Sequence, residues 1–233
     1  MANMLLAYLA YMICRLAFLA ENWNLFSDHM TWGSFAEIMK GGLVFDTSAI
    51  LYTNALYALM MLFPIHLKET KAWQKVAKWV FVTVNAIMMA ANLIDCVYFQ
   101  YTGRRTTVTV FSEFSNESNI GSVMGIEVLR HWYLVVLFVL LVWGLWRLYR
   151  SADDRNVRPY VPYYLCQTLC LAVFVPLCVA GMRGGFTTAV RPITISNANQ
   201  YVDRPIEAGI VLNTPFSIIR TYGKKIFVTP DYI

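Results

Sequence analysis

The sequence predicts an all-α integral membrane protein, with five transmembrane helices followed by an exterior juxtamembrane tail. Three observations carry this prediction. Charged residues make up 14% of the 233-residue chain and hydrophobic residues 58%, whereas soluble domains carry about 25% charged residues. Five apolar stretches approach the length of about 20 residues that a helix rising ~1.5 Å per residue needs to cross a ~30 Å hydrocarbon core. The Lys and Arg residues between these stretches are shared unequally between the two sides of the predicted bundle.

The first stretch, 4–20 (MLLAYLAYMICRLAFLA), is short and contains Arg15, but it lacks the basic leader of a signal peptide. It is read as a span that has lost some N-terminal sequence. The second stretch is 41–63, with Asp46 and Asn54; the third is 76–99, with Asn85, Asn92 and Asp95; the fourth is 132–149 and the fifth 160–182. Lys68, Lys71, Lys75 and Lys78 flank the second connection, and Arg147, Arg150, Arg155 and Arg158 the fourth. The opposite side holds Lys40, Arg104, Arg105 and Arg130. The positive-inside rule therefore puts the N-terminus in the cytoplasm and everything after Met182 outside. Trp23, Trp32, Trp73, Trp79 and Trp132 fall near the predicted interfaces, where indole rings favour the headgroup level.

Two exterior segments have patterns of their own. The polar stretch 106–130 is read as holding a short surface helix. The stretch 204–225 places Ile206, Ile210, Val211, Phe216, Ile218 and Ile219 at helical spacing, which predicts an amphipathic juxtamembrane helix interrupted near Pro215. Cys14, Cys96, Cys166, Cys170 and Cys178 all lie in apolar runs without a CxxC spacing and are read as small buried hydrophobes. His29, His66 and His131 are isolated in sequence, so no metal cluster is expected. No basic run has a nucleic-acid fold signature, which excludes nucleic acid as a partner.

Chemistry concentrates at one depth. Given the orientation, Arg15, Asp46 and Asp95 each lie roughly 6–8 Å beneath the outer boundary. Ionisable groups in a membrane cost about 2.5–3.5 kcal/mol each at mid-bilayer and usually face the bundle interior and pair. Three readings stay open: Arg15 neutralises Asp46 or Asp95 and fixes helix order, the three groups line a notch for a lipid headgroup, or they snorkel without partners, which is easier for Arg15 than for the short aspartates. Arg104, Arg105 and Arg183 crown the same side, and guanidinium groups suit phosphate recognition. The candidate site is therefore Arg15, Asp46, Asp95, Arg104, Arg105 and Arg183, with no catalytic and no metal-ligating residue.

Five spans, an exterior tail and the ordered segments GLVFDTSAILYTN, NLIDCVYFQYTGRRTT, MRGG with RPI, and VLNTPFSIIR together resemble the N-terminal membrane region of the lipoteichoic acid synthase-like family, within the sulfatase/alkaline phosphatase superfamily. The resemblance implies residues 1–182 as a five-helix domain and 183–233 as a juxtamembrane segment leading to an exterior catalytic domain that this chain lacks. In such relatives that domain uses a threonine nucleophile and a divalent metal, commonly manganese. It moves phosphoglycerol from phosphatidylglycerol to an acceptor; related enzymes transfer phosphoethanolamine or hydrolyse sulfate esters. The implied partners are the bacterial cytoplasmic membrane, an anionic phospholipid such as phosphatidylglycerol, and the catalytic domain, with no cofactor held by this chain. Thr187, Thr188, Thr214 and Thr221 lack the carboxylate and histidine support that an activated nucleophile needs, so the chain alone is expected to be inactive. The alternatives are a small polytopic transporter and a stand-alone membrane scaffold.

Overall fold

A computed structural model describes residues 2–64, 68, 70–110, 120–151, 161–185 and 192–223. Among them the secondary structure is helical throughout. The long elements are α1 (Ala2–Glu21), α3 (Trp32–Thr53), α5 (Lys71–Thr102), α7 (Trp132–Leu148) and α8 (Val161–Arg183). Shorter ones are α2 (Trp23–Phe26), α4 (Ala55–Leu62), α6 (Ile120–Arg130), α9 (Ala208–Val211) and α10 (Thr214–Thr221). Local chemistry sets several ends. The Thr31 and Thr70 hydroxyls accept from the backbone N–H groups of Ser34 (3.1 Å) and Trp73 (3.3 Å), capping α3 and α5. α5 stops at Gly103, whose φ of +63° is the left-handed conformation that glycine adopts without a Cβ penalty.

Three helices, α1, α5 and α8, are long and apolar enough to cross a membrane, and a fourth span arises if α3 and α4 count as one. Five spans are thus more than these lengths establish. α7 is apolar but has 17 residues, which reach about 26 Å. The second span also departs from expectation: its helix begins at Trp32, and it bends by 65° at Asn54. The Asn54 amide donates to the Ile50 carbonyl (3.1 Å) and exchanges hydrogen bonds with Asn85 of α5 (3.2 and 2.7 Å). Two amides at apolar depth thereby satisfy each other.

Contacts at the helix ends show that the long helices alternate in direction. Asn3 at the start of α1 donates to the Tyr57 hydroxyl (2.8 Å) and to the Arg150 carbonyl (2.9 Å). At the other end of the bundle Tyr133 donates to Glu21 (2.7 Å) and Gln100 donates to the Glu21 carbonyl (3.2 Å), while partway along α3 Ser48 donates to the carbonyl of Met182, near the end of α8 (2.8 Å). The core between α1 and α5 is aromatic. Phe18 meets Phe99 edge-on at 4.9 Å, and Phe26 closes the group at 6.0 Å from Phe99.

α8 differs from the other long helices. It is apolar on all sides, and Leu165, Leu169 and Val173 are exposed, as lipid contact requires. Cys166 and Cys170 lie on this exposed surface and Cys178 is half-buried, so only Cys14 and Cys96 are buried thiols; the sequence expectation for the other three is corrected. The tail is corrected too. Its helix is interrupted near Pro215 as expected, at Leu212 and Asn213, and Pro215 itself lies in the first turn of α10, where its missing N–H costs nothing; what changes is the setting of the tail. Residues 207–217 are buried against the bundle rather than laid along a surface.

Candidate functional site

Each charged member of the site arrives from a different element. Arg15 stands on α1, Asp46 on α3 and Asp95 on α5, while Arg105 follows the Gly103 turn, which folds the chain back toward Asp95. All four are buried, with exposures of 3% for Arg15, 1% for Asp46, 0% for Asp95 and 6% for Arg105. Arg15 and Asp46 form an ion pair through Nη2 and Oδ1, and Arg105 Nη1 lies 3.6 Å from Asp95 Oδ2. Two positive and two negative groups therefore balance.

The tail completes both pairs. Arg15 donates through Nη1 to the carbonyls of Ile210 and Val211, the latter at 2.6 Å, and through Nη2 to the Gly42 carbonyl at 3.1 Å. Asn213 donates to Asp46 (2.8 Å). The next residue, Thr214, donates its hydroxyl to Asp95 (2.6 Å) and its N–H to Asn92 (3.0 Å). Arg105 Nε donates to the Gly209 carbonyl at 2.7 Å. Its guanidinium carbon lies 3.5 Å from the centre of the Phe18 ring, a cation–π stack. Thr106 donates its N–H to both oxygens of Asp95 at 3.1 Å, and its hydroxyl to Oδ1. Burial pushes the Arg105 pKa down, and the neighbouring Asp95 carboxylate opposes that shift.

Glycines make this approach possible. A Cβ on Gly42 would stand 2.5 Å from Arg15 Cζ, and one on Gly209 would stand 2.5 Å from Phe99 Cε2. The bare backbone lets the guanidinium and the tail close on their neighbours.

The structure therefore brings Arg15, Asp46, Asp95 and Arg105 together, but as a centre closed by protein rather than an open notch. Arg104 is exposed, and Arg183 ends α8, where its carbonyl accepts from Ile193 N–H at 3.1 Å. Two further expectations change. Thr214 does have a carboxylate partner, Asp95. Thr214 is 1% exposed, and its hydroxyl is donated to that carboxylate inside the bundle. His131 is not isolated: its ring nitrogens lie 3.2 Å from Glu21 and 3.4 Å from Glu127. His66, Thr187, Thr188, Arg155 and Arg158 lie outside the described residues.

Sequence reasoning missed Asn213, Thr214, Thr106 and Gly209. A signal for the first two was present. Asn–Thr–Pro is a helix start, with asparagine as cap and proline in the first turn, and Asn213 does cap α10 by accepting from Phe216 N–H at 2.8 Å. Thr106 and Gly209 carry no such signal, because their roles depend on long-range contact. Among the described residues no group of three His, Cys, Asp or Glu side chains is placed to hold a metal ion. No protein-family model, curated protein or solved structure matches the chain.

Proposed function

We propose that this chain is the membrane-anchoring, lipid-presenting module of a lipoteichoic acid synthase-like phosphoglycerol transferase. It crosses a bacterial cytoplasmic membrane five times, with its N-terminus in the cytoplasm and its tail outside. The observation that carries the anchoring part is the docked tail. Residues 209–214 bond to side chains on α1, α3 and α5 and to Arg105. A chain leaving the membrane through such a grip emerges at a fixed point, which suits a module that must hold an enzyme domain at a set distance from its lipid. The alternating helix directions support an odd number of crossings, with α7 as the short fourth span. The family resemblance supplies the cargo: a sulfatase-type domain that receives phosphoglycerol.

The topology is tested at Tyr222, which is 80% exposed. Tyr222→Cys is expected to react with a membrane-impermeant maleimide in intact cells above the level of the parent chain. Reaction only after permeabilisation overturns the orientation and the anchor together. The cargo is tested separately by reading the coding sequence 3′ of the Ile233 codon. A sulfatase-type domain with a metal-activated threonine supports the reading, and an unrelated sequence there removes it.

A further inference from the structure

We infer that His131 is a proton-operated latch that holds α6 against the ends of α1 and α5. The latch is independent of the anchoring reading and works in either orientation of the chain.

His131 stands at a joint. α6 ends at Arg130 and α7 begins at Trp132. Between them His131 has φ −106° and ψ 37°, outside the helical region. Its N–H donates to the Glu127 carbonyl at 2.9 Å, and its own carbonyl accepts from Leu134 N–H at 2.9 Å. The chain therefore turns here while both helices keep their hydrogen bonds. The side chain is buried, with the residue 9% exposed. Among the described side chains of α6, Ile126, Val128 and Leu129 are exposed and Glu127 alone is half-buried. What these side chains offer the bundle is thus a carboxylate and not an apolar face.

Both ring nitrogens face acceptors. Nδ1 lies 3.1 Å from the Glu127 carbonyl and 3.4 Å from Glu127 Oε2, and Nε2 lies 3.2 Å from Glu21 Oε1. A neutral imidazole has one N–H and one lone pair, so either tautomer turns a lone pair toward an oxygen. Imidazolium has two donors and satisfies both sides. The neighbouring groups favour that charge. From α5, Tyr101 donates to Glu127 and Gln100 to Glu21, each at 3.2 Å, and from α7 Tyr133 donates to Glu21 at 2.7 Å. These three donors are neutral. Arg130 Nη1 lies 3.6 Å from Glu127 Oε1. With Glu21 and Glu127 ionised, Arg130 offsets one negative charge and a protonated His131 offsets the other. Protonation therefore favours the closed arrangement: α6 is held while the ring is charged and the carboxylates ionised, and it loosens as pH rises and the ring loses its proton.

The test uses the full chain purified in mild detergent. Amide hydrogen exchange of residues 120–130 is measured at about pH 5.5 and about pH 8.5, on either side of the range in which histidine changes charge, and corrected for the intrinsic rate at each pH. Protection is expected to be about tenfold greater at the lower pH, as exchanging a charge-assisted bond for a neutral one implies, while protection of α1 and α8 changes by less than about twofold. His131→Gln keeps a donor but cannot gain a proton, and is expected to give equal protection at both pH values with His29 and His66 in place. Glu21→Gln removes one of the two charges that favour imidazolium; it is expected to narrow the ratio, and it carries the test if the His131 variant does not fold. Equal protection of the parent at both pH values overturns the latch. A ratio that survives both substitutions overturns it by assigning the proton to another group, and a change shared by every helix overturns it by making the effect a property of the whole fold. Exchange of residues 120–130 at the rate of a free peptide at the lower pH overturns it as well, because nothing then holds α6. None of these outcomes bears on the Tyr222→Cys labelling.

Discussion

α8 and the α1–α3–α5 group belong to one bundle but are held by different forces. In the apolar windows of α1 and α5, 44% of residues are buried inside the protein, against 6% in α8. α8 meets α3 at two specific points: the Ser48 bond to Met182, and Gly181, where a Cβ would stand 2.5 Å from Leu51 Cδ1. The α1–α3–α5 group is instead joined by a buried ion pair between α1 and α3, by Arg105, which pairs with Asp95 of α5 and stacks on Phe18 of α1, by a reciprocal amide pair, and by a tail that bonds to all three helices. The difference follows from the solvent. Lipid tails are as apolar as leucine, so hydrophobicity places a helix in the bilayer without choosing its neighbours. Neighbours are chosen by close backbone approach and by polar groups that lipid cannot satisfy, and these lie almost entirely on one side of this molecule.

Substitutions break or sharpen this contrast, and the largest effect belongs to Asp95. Asp95→Ala leaves Arg105 buried without its carboxylate and strips acceptors from Thr106 and Thr214. The expected loss is about 3–5 kcal/mol of unfolding free energy in detergent, together with protease sensitivity of residues 205–221. A loss no larger than that of a lipid-facing substitution would mean that the centre is not what joins these helices. Gly42→Ala comes next. Its methyl group would overlap the Arg15 guanidinium, so Arg15 must withdraw from Gly42 and the tail carbonyls; overpacking of this kind costs about 1–3 kcal/mol. The same unfolding assay checks it, and wild-type stability would show that Arg15 has room to shift. The smallest effect is expected for Leu169→Ala on the exposed face of α8, under about 0.5 kcal/mol. A larger loss there would reveal that something other than lipid covers that face, which would reverse the contrast.

How much of this was legible in the sequence depended on range. Helical class, the approximate positions of the long helices and the grouping of Arg15, Asp46 and Asp95 at one level of the bundle could be read because ionisable residues stand out in apolar runs and helix rise converts position into distance along the bundle. The bend at Asn54 was less visible, since one asparagine in an apolar run marks polarity and not direction. The pairing of Arg15 with Asp46 was readable as one option beside Asp95, because a common level does not say which face each group occupies; the pairing of Arg105 with Asp95 was not read, because Arg105 lies past the end of α5 and reaches Asp95 only through the Gly103 turn. The closure of the site by Asn213 and Thr214 was not read. Their contacts lie 167 and 119 residues away along the chain, at Asp46 and Asp95, and no periodicity encodes a contact of that range. The apolar residues of the tail suggested a membrane surface, whereas the partner of Phe216 is the Phe45 ring, edge-on at 4.8 Å.

Asn213 and Thr214 are adjacent, yet one grips α3 and the other α5. Displacing this one dipeptide therefore withdraws a donor from two helices at once, the Asn213 amide from Asp46 and the Thr214 hydroxyl from Asp95.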